Sequence, residues 1–208
     1  FSINDSNTVE TLEKALLEKN ELRQLFAIDL LWNLPLDPWK DSLVHLFNKG
    51  TLTLQRAIIE LTWLQQDIIS DQLVLDKIKK ENNLSPQALL CANDRGIKEF
   101  IPTYLHFSEH KSKSIMIAYH VAILSKNMNN IISKQKIEKI HTSGNEAYQI
   151  ELIDPLKRYP QLLSPKHITN YLQNGTNNIK NEVLNFLTRN PSTSHFENIF
   201  VLLEKSET

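Results

Sequence analysis

The stretch Asn20-Glu-Leu-Arg-Gln-Leu-Phe-Ala-Ile-Asp-Leu-Leu31 returns, loosely, as Gly50-Thr-Leu-Thr-Leu-Gln-Arg-Ala-Ile-Ile-Glu-Leu61. Each copy sets an Ala-Ile pair, Ala27-Ile28 and Ala57-Ile58, seven residues after a turn residue. A third copy opens at Gly175, with Ile179 where Leu54 stands and Val183 where Ile58 stands. Gly144 opens a fourth with Tyr148 and Leu152 at those places, His110 a fifth with Ser114 and Ala118, and Asn82 a weaker sixth in which Pro86 replaces an apolar residue. The turn residues 20, 50, 82, 110, 144 and 175 lie 28 to 34 apart. A fixed period of that size is the signature of stacked supersecondary units, each too small to bury its own apolar face.

Working outward, each unit reads as two helices with the turn residue between them. Leu54, Ile58, Leu61 and Gln65 form one helical stripe with Ala57 and Leu64 beside it, and Ile179, Val183, Phe186 and Leu187 form another. First helices show the same spacing in Leu43, Leu46 and Phe47, and in Ile168, Tyr171 and Leu172. Nothing alternates with a period of two for long enough to suggest a sheet. Gly, Asn and His at the turns suit the left-handed conformation that ends many helices. Asp37-Pro38, Ser85-Pro86 and Ser164-Pro165 each offer a capping side chain followed by proline at the first helical position, where its missing N–H costs nothing, and Pro102 fits the same opening role. Pro155 falls inside the helix expected from Tyr148 to Tyr159, which predicts a kink or break there. The pattern is least regular between Gln65 and Phe100. A last amphipathic stretch, Phe196 to Leu203, has no partner helix in the sequence. The expected fold is therefore all-α, a right-handed solenoid of about six stacked helix pairs plus a C-terminal helix, forming one domain over residues 1–208. A chain that starts at Phe1 without Met and stops just after one unpaired helix also reads as cut from something longer.

Composition narrows the function. Hydrophobic residues make up 41% and charged residues 23%, enough apolar surface for a sizeable core. The formal net charge is -1, so no global field favours nucleic acid or an anionic membrane. The short basic stretches, Lys111 and Lys113 or Lys134, Lys136 and Lys139, sit among Glu and polar residues and read as solvated helix faces. Cys91 is the single cysteine, which rules out an intrachain disulfide and a thiolate metal cluster and points to a reducing, cytoplasmic setting, although a cysteine-poor exported domain would look the same. The longest apolar run, Ile115 to Leu124, contains His120 and is half of what a membrane span needs, about 20 residues. It reads as a buried helix.

In period and layout nearly the whole chain resembles HEAT repeats, helix pairs that stack into curved scaffolds for binding other macromolecules. It departs from them in two ways: the Asp and Arg often seen near the second helix do not recur regularly, and the third unit is poor. The shorter segment Leu25-Phe-Ala-Ile-Asp-Leu-Leu-Trp-Asn-Leu-Pro-Leu-Asp-Pro-Trp39 also resembles the soluble HEAT-type portion of bacterial ATP/ADP-type nucleotide translocases. That likeness would place the chain at the cytoplasmic face of a membrane.

Several constellations invite a chemical reading, and each has a plainer one. His106, Glu109 and His110 match H-x-x-E-H, in which two His on one helix hold zinc and Glu activates water, with Glu182 as a conceivable third ligand. His110 falls at a turn between helices, however, where a continuous zinc-binding helix does not pass. His45, His120, His141, His167 and His195 have no metal-ligand spacing, and His120 reads as a hydrogen-bonded core histidine. Some HEAT-type enzymes bind iron through His-Glu dipeptides, of which this chain has none. Others excise alkylated bases from DNA with Trp and Asp on a basic concave face. Trp32, Trp39 and Trp63 near Asp29 and Asp37 fit that reading less well than packing between repeats, given the near-neutral charge. Cys91 reads as a small buried hydrophobe, and the sequon Asn174-Gly175-Thr176 coincides with a repeat turn. The expectation is a non-enzymatic protein–protein interaction or regulatory scaffold without cofactor or metal, whose partner is another protein or another domain of a parent chain. Second-helix residues Gln55, Arg56, Lys113, Gln149, Lys180 and Asn181 are the candidates for its partner-binding ridge.

Overall fold

The computed structural model describes residues 6–97 and 105–191, and among these the chain is all-α, with eleven α-helices, four short 3-10 turns and no strand. Pro102, His195 and the stretch Phe196 to Leu203 lie outside the described residues. Contacts divide the chain into two compact units, Phe1–Phe100 and Ile101–Thr208.

The first unit holds α1 (Ser6–Leu17), α2 (Glu21–Leu30), α3 (Lys40–Lys49), α4 (Leu52–Leu61), α5 (Asp71–Lys79) and α6 (Ser85–Asp94). Consecutive helices pack as the pairs α1/α2, α3/α4 and α5/α6, and α4 packs on both α2 and α6. The second unit holds α7 (Lys113–Lys126), α8 (Ile131–His141), α9 (Glu146–Leu156), α10 (Pro165–Asn174) and α11 (Asn177–Arg189). Here α8 packs on both α7 and α9, α10 pairs with α11, and α9 packs on both α7 and α11. In each unit the second helices thus form a continuous row. Their buried positions are those the spacing predicts: Leu54, Ile58 and Leu61 on α4, and Ile179, Val183, Phe186 and Leu187 on α11. Leu64 and Gln65 fall past the end of α4 and are exposed, so the stripe is shorter than expected. The run Ile115–Leu124, apolar apart from His120, is buried on every side within α7, as a helix without a polar face must be.

Most starts are fixed by one device. Asn20, Thr51, Ser70, Asn130, Asn145, Ser164 and Thr176 each sit in extended backbone and accept the N–H of the residue three further on. Such a cap is worth about 1 kcal/mol because it satisfies a donor the helix cannot. The caps correct the repeat register by one residue in the first unit, since Asn20 is the counterpart of Thr51 and not of Gly50. They also correct the proline reading. Only Ser164-Pro165 caps as expected, whereas Asp37-Pro38 opens a 3-10 turn (Asp37–Trp39) and the Ser85 hydroxyl accepts from Asn82 N–H and donates to the Lys77 carbonyl. The expected break at Pro155 appears as an end: α9 stops one residue beyond it.

The repeat glycines are not left-handed, apart from Gly144 at φ 66°. Gly50 and Gly175 have extended backbone, with φ of -68° and -74°, which any residue adopts. Their constraint is space. A Cβ at Gly50 would lie 2.6 Å from the Leu46 carbonyl oxygen and 3.2 Å from Leu54 Cβ, and one at Gly175 would meet the Tyr171 carbonyl and Ile179 in the same way. A two-residue Gly-Thr turn therefore lets the second helix start directly on the last turn of the first.

The segment after α4, where the sequence is least regular, is held by Arg95. Its side chain is 0% exposed and donates to the carbonyls of Thr62 (2.8 Å), Trp63 (2.8 Å) and Ile69 (2.6 Å) and to Asp71 Oδ1 (3.1 Å). Trp63 Nε1 returns a bond to Asp94 Oδ2 at 2.9 Å, and buried Cys91 donates its Sγ–H to the same Trp63 carbonyl. A planar fork reaches four acceptors at once; a point-charge ammonium does not.

Two substitutions check these readings by chemical denaturation. Gly50→Ala is expected to destabilise by about 1–3 kcal/mol from overpacking against backbone, although its φ suits alanine; a neutral or stabilising result would refute the spatial account. Arg95→Lys is expected to lose about 3 kcal/mol because buried carbonyls are left without donors, and full retention of stability would show that the fork is dispensable.

Candidate interaction surface

The six predicted ridge residues lie on α4, α7, α9 and α11, but the structure gives them different roles. Arg56 and Asn181 are exposed, and Arg56 donates to the Asn83 carbonyl at 3.0 Å. Lys113 and Lys180 are half-buried, with Lys113 Nζ 5.6 Å from the centre of the Tyr148 ring. Gln55 belongs to the joint between the second and third pairs: its amide donates to the Gly50 carbonyl at 2.7 Å and accepts from Lys77 Nζ at 3.1 Å. Lys77, itself buried, also donates to the Phe47 carbonyl at 2.6 Å and lies 4.6 Å over the Phe47 ring; burial pulls its pKa below the ordinary lysine value. Gln149 is 7% exposed rather than on a ridge, and its amide donates to the His141 carbonyl at 2.9 Å. Gln24 does the same to the Leu16 carbonyl, eight residues back and four after its own cap. These glutamines staple a second helix to the end of its first.

The surface feature that stands out is on α2. Its inner side buries Gln24, Ala27 and Ile28, with Leu31 following. Its outer side carries Leu22, Phe26 and Leu30, which are 77%, 65% and 48% exposed. At intervals of four these form one ridge along the helix. Leu17 and Trp32, both exposed, stand at its two ends in the sequence. Trp39 and Trp63 are buried as expected, so Trp32 is the exception to the reading that all three tryptophans pack between repeats. The signal was present in the sequence: from Leu22 to Leu31, seven of ten residues are apolar, more than one buried stripe can hold. This row is the candidate contact surface of the first unit.

The histidines were the other source of possible chemistry. His106 and Glu109 lie in a 3-10 turn (Leu105–Glu109), Glu109 pairs with Lys136 at 2.6 Å, and His110 Nδ1 accepts from the Ser112 N–H at 3.0 Å. Glu182 pairs instead with Lys157 at 2.8 Å. Among the described residues no three His, Cys, Asp or Glu are grouped to hold a metal. His120 is a bonded core histidine as predicted: Nε2–H donates to the Ser108 carbonyl (3.1 Å) and Nδ1 accepts from the Ser133 hydroxyl (3.0 Å), with its pKa lowered chiefly by burial.

The second unit also contains a cluster that spacing did not reveal, because its members come from two helices. His141, 3% exposed, lies 2.6 Å by Nδ1 from the Tyr171 hydroxyl and stacks on His167 at 3.9 Å between ring centres. His167 bonds Ser164 Oγ and Glu138 Oε1. Whichever nitrogen of His141 carries the proton, Nε2 has no partner. An imidazolium there would bury an unmatched N–H beside a second histidine. Burial, then the His167 charge, bring its pKa down to about 3, and burial pushes the Tyr171 hydroxyl up.

A histidine depressed in the fold takes up its proton on unfolding. Stability from His141 is therefore complete above its unfolded pKa of 6.5 and falls as pH drops from there towards 3. The slope contributed is about 1.4 kcal/mol per pH unit for one proton, with His120 adding in the same direction. His141→Gln is expected to remove close to one proton from the uptake measured on unfolding near pH 5; an unchanged uptake would contradict the assignment.

In comparisons with known protein families, curated proteins and solved structures, no family model, curated protein or solved structure significantly matches this chain.

Proposed function

We propose that the chain is a non-enzymatic interaction scaffold, a HEAT-like stack of helix pairs that presents helix faces to a macromolecular partner. The observation that carries this reading is the Leu22–Phe26–Leu30 ridge, exposed on a helix whose opposite side is fully used for packing. Binding energy at such faces concentrates in a few aromatic and arginine anchors, and Phe26 with Arg23 beside it supplies that pair. The rows α2–α4–α6 and α7–α9–α11 support the HEAT-like reading, since each second helix leans on the next as stacked repeats do. The buried polar groups support a non-catalytic role. Arg95, Lys77, Gln24, Gln149 and His120 all bond helix ends or backbone carbonyls, and each is accounted for by holding the fold together.

Arg56, Lys113, Lys180 and Asn181 remain candidates for further contacts on the second helices. The segment Leu25–Trp39, whose sequence resembles a translocase portion, has its own packing explanation: Ala27, Ile28, Leu31, Leu36 and Trp39 are core residues, and Trp39 Nε1 donates to the Val9 carbonyl at 3.2 Å. No helix among the described residues is long and apolar enough to cross a membrane.

The test is affinity capture with the intact chain and with Phe26→Lys as parallel baits, circular dichroism confirming equal helicity. Proteins retained by the first and lost by the second are the expected result. Identical retention by both would remove α2 from the binding account.

A further inference from the structure

We propose that the α2 ridge docks on the α2 ridge of a second copy of this chain, forming a two-fold dimer. This rests on reading the ridge as a binding face and names its occupant. The argument is charge placement. Phe26 is the centre of the ridge, with Leu22 four residues before it and Leu30 four after. Arg23 lies three residues before Phe26 and Asp29 three after, both exposed. At 3.6 residues per turn these two charges fall on opposite flanks of the ridge, nearly level with Phe26.

Rows spaced by four run about 26° off a helix axis, so two such rows lie along one another when the helices cross at about -50°, the commonest packing class. Two senses are then open. With the two-fold axis parallel to the ridge, the flanks exchange, and Arg23 of each copy lies over Asp29 of the other. With the axis across the ridge, Arg23 meets Arg23 and Asp29 meets Asp29. The first sense is attractive at both flanks and the second repulsive at both, so the charges select one arrangement. Isologous contact of this kind is closed, leaving no ridge free to propagate a fibre.

Two further observations agree. Arg23 stands near the start of α2 and Asp29 near its end, the reverse of what the helix dipole favours, so neither is placed for the helix's own stability. Arg23 bonds the Glu18 carboxylate through Nη1, at 2.9 and 3.2 Å, and a guanidinium has further N–H groups to offer a second carboxylate. The patch is small, so the dimer belongs to the weak, concentration-dependent class.

Sedimentation velocity of the intact 208-residue chain, from micromolar to near-millimolar, tests this. The expected result is a reversible shift from 24.1 kDa to twice that mass. Phe26→Lys should be monomeric throughout, and Arg23→Asp or Asp29→Arg alone should weaken association about tenfold, as like charges come to face each other. The double exchange, Arg23→Asp with Asp29→Arg, should restore it, with circular dichroism confirming that every variant folds. A dimer untouched by Phe26→Lys, or single reversals not rescued by the double, overturns the proposal. A wild-type chain monomeric at all concentrations overturns it too. In that case the binding-face reading stands if Phe26→Lys still loses a captured protein, and falls with it if capture is unchanged.

Discussion

Helices of nine to fourteen residues are marginal in water by themselves, and all the helices described here fall in that range. Their existence therefore depends on burying an apolar face against a neighbour. Within each unit that burial is organised by one row of helices, α2–α4–α6 in the first and α7–α9–α11 in the second, whose members pack on one another and on the helices beside them. Everything else follows from keeping that row in register. Gly50 and Gly175 shorten the turn, the seven side-chain caps fix where helices start, and Gln24 and Gln149 tie a second helix to the last carbonyls of its first. Lys77 closes the joint between two pairs by donating to the end of α3 and to Gln55.

Buried polar side chains in this chain are consequently structural bonds. A carbonyl at a helix end cannot go unpaired inside a core, and packing short helices produces many such ends. Arg95 serves two just past the end of α4, Thr62 and Trp63, together with the Ile69 carbonyl in the loop before α5. Lys77, Gln24 and Gln149 serve one each, and His120 serves the Ser108 carbonyl. Among the described residues Glu13 Oε2, Gln87 Oε1 and His141 Nε2 are buried without a partner, and at His141, which stacks on His167, the cost grows as acid charges the ring.

Much of this was legible in the residues. The repeat of Ala-Ile after a turn, the stripes on α4 and α11, the buried run Ile115–Leu124 and the end at Pro155 all follow from spacing and composition. What spacing could not supply is which of two apolar faces is covered. Leu22 and Ile28 look alike in sequence, and only the position of α1 and α4 decides that Ile28 is core and Leu22 is not. Gly144 is left-handed as its turn position suggests, but Gly50 and Gly175 are not, because a close approach to Leu46 or Tyr171 leaves no local signature that separates it from a left-handed turn. Gln149 looked like a surface residue because its acceptor, the His141 carbonyl, belongs to another helix. The Tyr171–His141–His167 cluster, likewise, exists only once α8 and α10 lie side by side.

The account turns on the outer face of α2 being a contact surface and not an idle exposed row. A photo-reactive benzophenone side chain placed at position 26 tests this most directly, with position 10, an exposed site on α1, as the control. Irradiation should yield a discrete covalent adduct from position 26 and none from position 10. Equal labelling at both positions, or no adduct from position 26, would contradict it.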